Sequence, residues 1–399
     1  MRKNINKIYI TLLIIFTLFI SINKVSANTE SNLLKVTTKN YTNFSTDKNF
    51  IIFVVDAIDS KKFDKVFKSS KYKDNFKDFT YYPDTLSHYL YTRESIPLII
   101  SGNPNYNEDD YLVYYNKAFD NSKFLDRLIT DDYEINIYDH ELNWTTKKAR
   151  VTQNIKFLFN EEEGIMHPVK CALKKVGYKY IPFIFNIMPS LKFENCDESV
   201  EEEVNLSELF SWDNIDNYKY ILNMPVTFTD KKQFKFIHTN GVHPPYNMDG
   251  ELNRVNEKNS SETKEMQASL KLLSSYIDLL KTNNVYDNTV IIITADHGYN
   301  NGERMGKQNP ILYIKGINET NDSLNISDKK VSHLDLSDAY LKLLDGEKAR
   351  DLFQEFTSNR VRKLIWYVFR KENHMVEYTL DGHAWEVNKL KKTGKEFNR

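Results

Sequence analysis

Cysteine is scarce: the 399-residue chain has two, Cys171 and Cys196. They match no CxxC-type metal motif, so a thiolate-held zinc is not expected. The pair is compatible with one disulfide outside the cytoplasm or with two free thiols. Excess charge of either sign is also missing. Lys plus Arg number 54 against 55 for Asp plus Glu, a formal net charge of −1, so nucleic acid is not an expected partner. Long apolar runs are limited to one. Residues 8–22 carry no charge, follow a basic start at Arg2, Lys3 and Lys7, and precede Val25-Ser26-Ala27, a small-residue signal-peptidase pattern. The run is shorter than the roughly 20 apolar residues of a comfortable membrane span. Residues 1–27 therefore read as a signal peptide or a membrane anchor, with the rest of the chain secreted or anchored outside the cytoplasm. No internal repeat is found.

Aromatic residues are abundant, with 25 Tyr and 24 Phe, and their expected place is the core. Residues 28–46 are polar and read as a linker. Folded structure is expected from residue 47. The continuous apolar runs 50–55 and 289–294 suit central strands buried on both faces. Further strands are expected over 133–138, 234–238 and 310–315. Helices are expected over 60–67, 95–100 (started by Thr92, stopped by Gly102), 122–130, 264–281 and 334–344. Residues 158–222 resist assignment. This alternation predicts an α/β domain over 47–346, with a mostly parallel sheet flanked by helices. A small C-terminal extension over 347–399 follows, with a β pair at 363–369 and 375–380.

Ligands bind beyond the carboxyl ends of strands in such sheets. Asp56 directly follows the first apolar strand. Asp296 and His297 follow the strand ending near Thr294, and Gly298 is expected to let the backbone turn there. Two carboxylates and an imidazole suit a divalent ion, zinc or manganese. Thr92 stands at a helix start, where free N–H groups and the helix dipole favour an alkoxide and a phosphate; the same position suits an ordinary N-cap. His243 lies on the loop Gly241-Val242-His243-Pro244-Pro245, placed to meet a substrate. His238 reads better as part of the preceding strand.

These pieces, in this order, resemble the sulfatase-like branch of the alkaline phosphatase superfamily. Within it the chain is similar to lipoteichoic acid synthases and lipid A phosphoethanolamine transferases. Thr92-x-x-Ser95-Ile96-Pro97 resembles the transferases' Thr-x-x-Ser-Val-Pro segment, which implies Thr92 as nucleophile and metal ligand. Asp56 and Asp296-His297-Gly298 match the other ligand positions. Gly241-x-His243-x-Pro245 matches the loop whose histidine contacts substrate phosphate, and Ser332-His333-Leu334-Asp335 the entry to the closing helix. The chain departs from the pattern in three ways: disulfides are few, it has at most one span, and no histidine follows Asp-His-Gly before Pro310. Arg304 or Lys307 is expected to supply positive charge in place of that histidine, with Arg93 beside the nucleophile. The C/S-x-P-x-R segment that true sulfatases convert to formylglycine is absent.

The resemblance implies an alkaline-phosphatase-like sandwich. It implies transfer of a phosphoglycerol- or phosphoethanolamine-type group, through a phosphothreonine, from a phospholipid or other phosphodiester donor. The acceptor would be a cell-envelope glycan or lipid near the membrane. The alternatives are a metal-dependent phosphodiesterase or phosphatase, a sulfatase-like hydrolase, and a catalytically silent envelope-binding protein.

Overall fold

The computed structural model describes residues 34–106, 110–157, 206–299, 306–367 and 374–398. Residues 1–27, Cys171, Cys196 and Arg304 lie outside them. Among the described residues no helix is long and apolar enough to cross a membrane.

The chain divides into two compact units, Met1–Thr37 with Ile155–Leu209, and Thr38–Asn154 with Phe210–Arg399. In the first, strand Leu34–Val36 pairs antiparallel with Ile155–Phe157. The expected linker is therefore partly structured. In the second unit, Asn43–Ser45 forms a strand beside Thr227–Thr229, and Tyr41 and Phe44 are fully buried. Aromatic anchors set among Thr and Asn hide this in a composition reading.

The second unit is built on a seven-stranded sheet. In chain order its strands are β1 (Asn49–Val55), β2 (Thr80–Tyr81), β3 (Glu134–Tyr138), β4 (Gln233–Thr239), β5 (Thr289–Thr294), β6 (Leu312–Lys315) and β7 (Asn325–Ile326). Across the sheet the order is β7-β2-β6-β5-β1-β4-β3. Only β6 runs against the rest. The helices are α1 (Ser60–Lys68), α2 (Thr92–Ser101), α3 (Tyr111–Asp120), α4 (Lys123–Thr130), α5 (Asn214–Asn223), α6 (Glu262–Thr282) and α7 (Leu336–Leu344).

Every residue of β1 is buried, as a strand covered on both faces requires. Successive side chains alternate faces, so Phe50 and Phe53 point opposite ways. Phe50 packs on Phe124 of α4 and Tyr340 of α7, and Phe53 on Tyr276 of α6. Helices thus cover both faces, and the aromatic residues form the core.

The last segment is a three-stranded antiparallel sheet, β8 (Arg362–Tyr367), β9 (His374–Leu380) and β10 (Leu390–Asn398). The sequence reading missed β10, whose Leu-Lys-Lys-Thr-Gly-Lys-Glu-Phe run is mostly exposed and carries no apolar alternation. This sheet is the small C-terminal β-containing segment expected from the sequence, and it belongs to the same compact unit as the main sheet. Arg362, 2% exposed, donates to Asp84 Oδ1 at 2.7 Å and to the carbonyls of Asp84, Val331 and Gly382. Ile365 N–H donates to His88 O at 2.7 Å.

Arg362→Met would leave the buried Asp84 carboxylate without its guanidinium, keeping only the Ala384 N–H and the nearby His383, an expected loss of about 3–5 kcal/mol in chemical denaturation. Burial also lowers the buried histidines His88, to about 4, and His333, to about 3. Both values lie below the ordinary 6.5, so the unfolded chain binds more protons in acid. Their contribution is complete above pH 6.5 and is lost as pH falls towards 4. Unfolding free energy is expected to drop by about 1.4 kcal/mol per pH unit for each histidine. His88→Gln should flatten that slope by one histidine's share.

Candidate metal centre

Four parallel strands, β3, β4, β1 and β5, end at one rim. Val54 of β1 sits opposite Thr294 of β5, so Asp56 and Asp296, each two residues further on, emerge level. Asp56, Asp296 and His297 each place a ligand atom within 4.8 Å of the others. All three are buried.

The details suit a cation. Asp296 Oδ1 accepts the N–H groups of Ala57 at 3.0 Å and His297 at 2.9 Å. Its Oδ2 has no hydrogen-bond partner and lies 3.3 Å from His297 Nε2. Asp56 Oδ1 is also unpartnered, 4.0 Å from the same nitrogen. His297 Nδ1 donates to Gly298 O at 2.8 Å, because a carbonyl can only accept. That fixes the ring proton on Nδ1 and leaves a bare lone pair on Nε2, the form that binds metals. Burial, then the neighbouring Asp296, raises Asp56 well above the usual carboxylate range. Two buried carboxylates this close cannot both ionise without a compensating charge. Burial lowers His297, so the imidazole stays neutral. The donor set, two carboxylates and one neutral imidazole, matches a divalent ion.

Thr92 is the first helical residue of α2, and the N-cap is Tyr91 rather than Thr92. Its hydroxyl is therefore free of capping and donates to Asp56 Oδ2 at 3.4 Å. Two glycines shape the rim. Gly241 has φ +50°, and a Cβ there would collide with the backbone N and O of Asp56. Gly298 differs from expectation: it is absent from the positive-φ glycines, and what it supplies is space, since a Cβ would lie 3.3 Å from Asn309 O.

The remaining expected residues spread around this core. Lys307 is half-buried, its Nζ 5.5 Å from the Tyr91 ring centroid and 5.3 Å from that of Tyr299. Burial lowers its pKa, and the charges of Asp296 and Asp56 pull it back up. His243 is exposed, its Nδ1 2.7 Å from Pro244 O, with its ring 6.0 Å from Trp212. Arg93 stacks on Tyr111, 4.2 Å from the ring centroid. His238 does lie within β4, yet its Nε2 faces Asp56 Oδ2 at 3.9 Å. The sequence reading overlooked Asp139 and His140 entirely. Asp139 follows β3 as directly as Asp56 follows β1, so the same strand-end rule would have found it.

The fold is alkaline-phosphatase-like. A protein of that superfamily from Vibrio parahaemolyticus superposes with TM-score 0.51 at 14% identity, covering 91% of this chain and 85% of that one. Phosphonate monoester hydrolase from Silicibacter pomeroyi gives TM-score 0.47 at 11% identity, covering 88% and 89%. The C-terminal periplasmic domain of EcEptC from Escherichia coli, solved in complex with Zn, gives TM-score 0.44 at 11% identity, covering 91% and 95%. No protein-family model and no curated protein sequence matches the chain.

A cation that binds only the folded chain raises its stability by about 2.7 kcal/mol at a hundred times Kd. Added Zn²⁺ or Mn²⁺ should therefore raise the Tm of the chelated protein. In Asp296→Asn, which removes a ligand charge while keeping the side chain's shape, the gain should shrink markedly in the same scan.

Proposed function

We propose that this chain is an exported, metal-dependent phosphoryl-group transferase with Thr92 as nucleophile. The observation that carries the reading is the 3.4 Å contact from Thr92 Oγ1 to Asp56 Oδ2, beside two unpartnered carboxylate oxygens and a bare imidazole nitrogen. A hydroxyl that only capped a helix would have no reason to sit among them.

Asp56, Asp296, His297 and Thr92 would hold one zinc or manganese ion. When bound, that ion lowers the effective pKa of the hydroxyl and offsets the charge of an incoming phosphate. Thr92 Oγ attacks the phosphorus of a phosphodiester donor. The new Oγ–P bond forms as the P–O bond to the donor alcohol breaks, and the alcohol leaves with a proton. The head-group phosphate stays on Thr92 as a phosphothreonine. A hydroxyl of the acceptor then attacks phosphorus, its proton is released, and the Thr92 oxygen departs. Lys307, His243 and Arg93 would neutralise the non-bridging oxygens. The motif resemblance and the apolar N-terminal run support a phospholipid-type donor at the membrane surface, with a cell-envelope glycan or lipid as acceptor. Without an acceptor, water completes the second step and the enzyme behaves as a phosphodiesterase.

Incubation with phosphatidylglycerol or phosphatidylethanolamine, followed by peptide mass spectrometry, is expected to find phosphoglycerol or phosphoethanolamine on the Thr92 peptide. Thr92→Ala should lower turnover by at least about a thousandfold, as loss of a nucleophile does. A labelled peptide elsewhere, or full activity in Thr92→Ala, contradicts the reading.

A further inference from the structure

A second cluster stands beside the first and uses residues that the transfer reading leaves idle. Tyr138 of β3 pairs with Ile237 of β4, so the next residues, Asp139 and His238, come out level. Both are fully buried. Asp139 Oδ1 lies 3.0 Å from His238 Nδ1 and 3.7 Å from His140 Nδ1. Asp139, His140 and His238 each place one ligand atom within 4.8 Å of the others.

A plain hydrogen bond from His238 to Asp139 accounts for only part of this. If Nδ1 carries the proton, His238 Nε2 is a bare lone pair. That atom is buried, has no hydrogen-bond partner, and stands 3.9 Å from Asp56 Oδ2, which already accepts from the Thr92 hydroxyl. A cation on Nδ1 gives that nitrogen a defined role. The ring proton then sits on Nε2 and points at the Asp56 carboxylate, the carboxylate–histidine–metal arrangement that orients metal-bound imidazoles. The spacing agrees as well. A tetrahedral zinc with ordinary bond lengths sets its ligands about 3.3 Å apart, between the 3.0 and 3.7 Å found here. The third ligand is held ready, because the His140 ring stacks on the Trp212 indole with centroids 4.0 Å apart. His140 is also the ligand nearest solvent, with 29% of its side chain exposed, which gives an ion a way in.

We propose that Asp139, His140 and His238 form a second divalent-cation site, of zinc type, joined to the first through the His238–Asp56 contact. It shares no ligand with the first centre and stands or falls independently of the Thr92 reading.

The test is zinc stoichiometry. The full-length protein is stripped with chelator, titrated with zinc chloride by calorimetry, and analysed for bound metal after gel filtration. Wild type is expected to take two equivalents, and Asp139→Asn and His140→Ala one each. Asp139→Asn keeps the shape of the side chain, and His140 is partly exposed, so both should melt like the stripped wild type. Asp296→Asn should retain the equivalent that those two variants lose. If wild type takes one zinc that Asp296→Asn abolishes and His140→Ala keeps, this site is refuted and the first centre stands. If the single zinc is lost in His140→Ala and kept in Asp296→Asn, this site is supported and the first centre fails. Two equivalents in both Asp139→Asn and His140→Ala would place the second ion elsewhere and overturn the proposal, and no zinc in wild type overturns both sites.

Discussion

Two buried carboxylates, Asp56 and Asp296, are brought side by side where adjacent parallel strands end, and each keeps one oxygen without a hydrogen-bond partner. Such a pair opposes folding unless something positive lies between its members. The surrounding structure sets a neutral imidazole and a hydroxyl beside the pair, and a half-buried lysine feels the charge of both carboxylates. The backbone is committed to it as well. Gly241 gives up its side chain so that the loop after β4 can lie against Asp56, and the Ala57 N–H is spent on Asp296.

Much of this was legible in the sequence because it rests on strong local signals. The run Thr289–Thr294 forms a strand residue for residue, and its apolar continuity also says that helices cover both faces. Acidic residues just beyond such strands reach the rim whatever the loops do, so the grouping of Asp56 with Asp296 and His297 follows from topology. The capping state of Thr92 did not follow, since whether a hydroxyl at a helix start caps the helix or turns elsewhere depends on one residue of offset.

Other features were hidden for identifiable reasons. Helix α3, Tyr-Leu-Val-Tyr-Tyr-Asn-Lys-Ala-Phe-Asp, is rich in aromatic residues that favour strands, and packing against α2 overrides that tendency. Asp139 and His140 went unnoticed although a strand was expected over 133–138, because β3 alternates as Glu-Ile-Asn-Ile-Tyr and lacks the continuous apolar run that makes the end of β1 stand out. The positive charge of Arg362 gave no hint that it would be buried, because its partners, Asp84 and the carbonyls of Asp84, Val331 and Gly382, lie 278, 31 and 20 residues away.

We propose one cation among four side chains at the ends of β1 and β5 and the start of α2. Diffraction from zinc-soaked crystals, recorded on both sides of the zinc absorption edge, tests it most directly. An anomalous peak bonded to Asp56, Asp296, His297 and the Thr92 oxygen is expected. A saturated crystal with no peak among those atoms would contradict it.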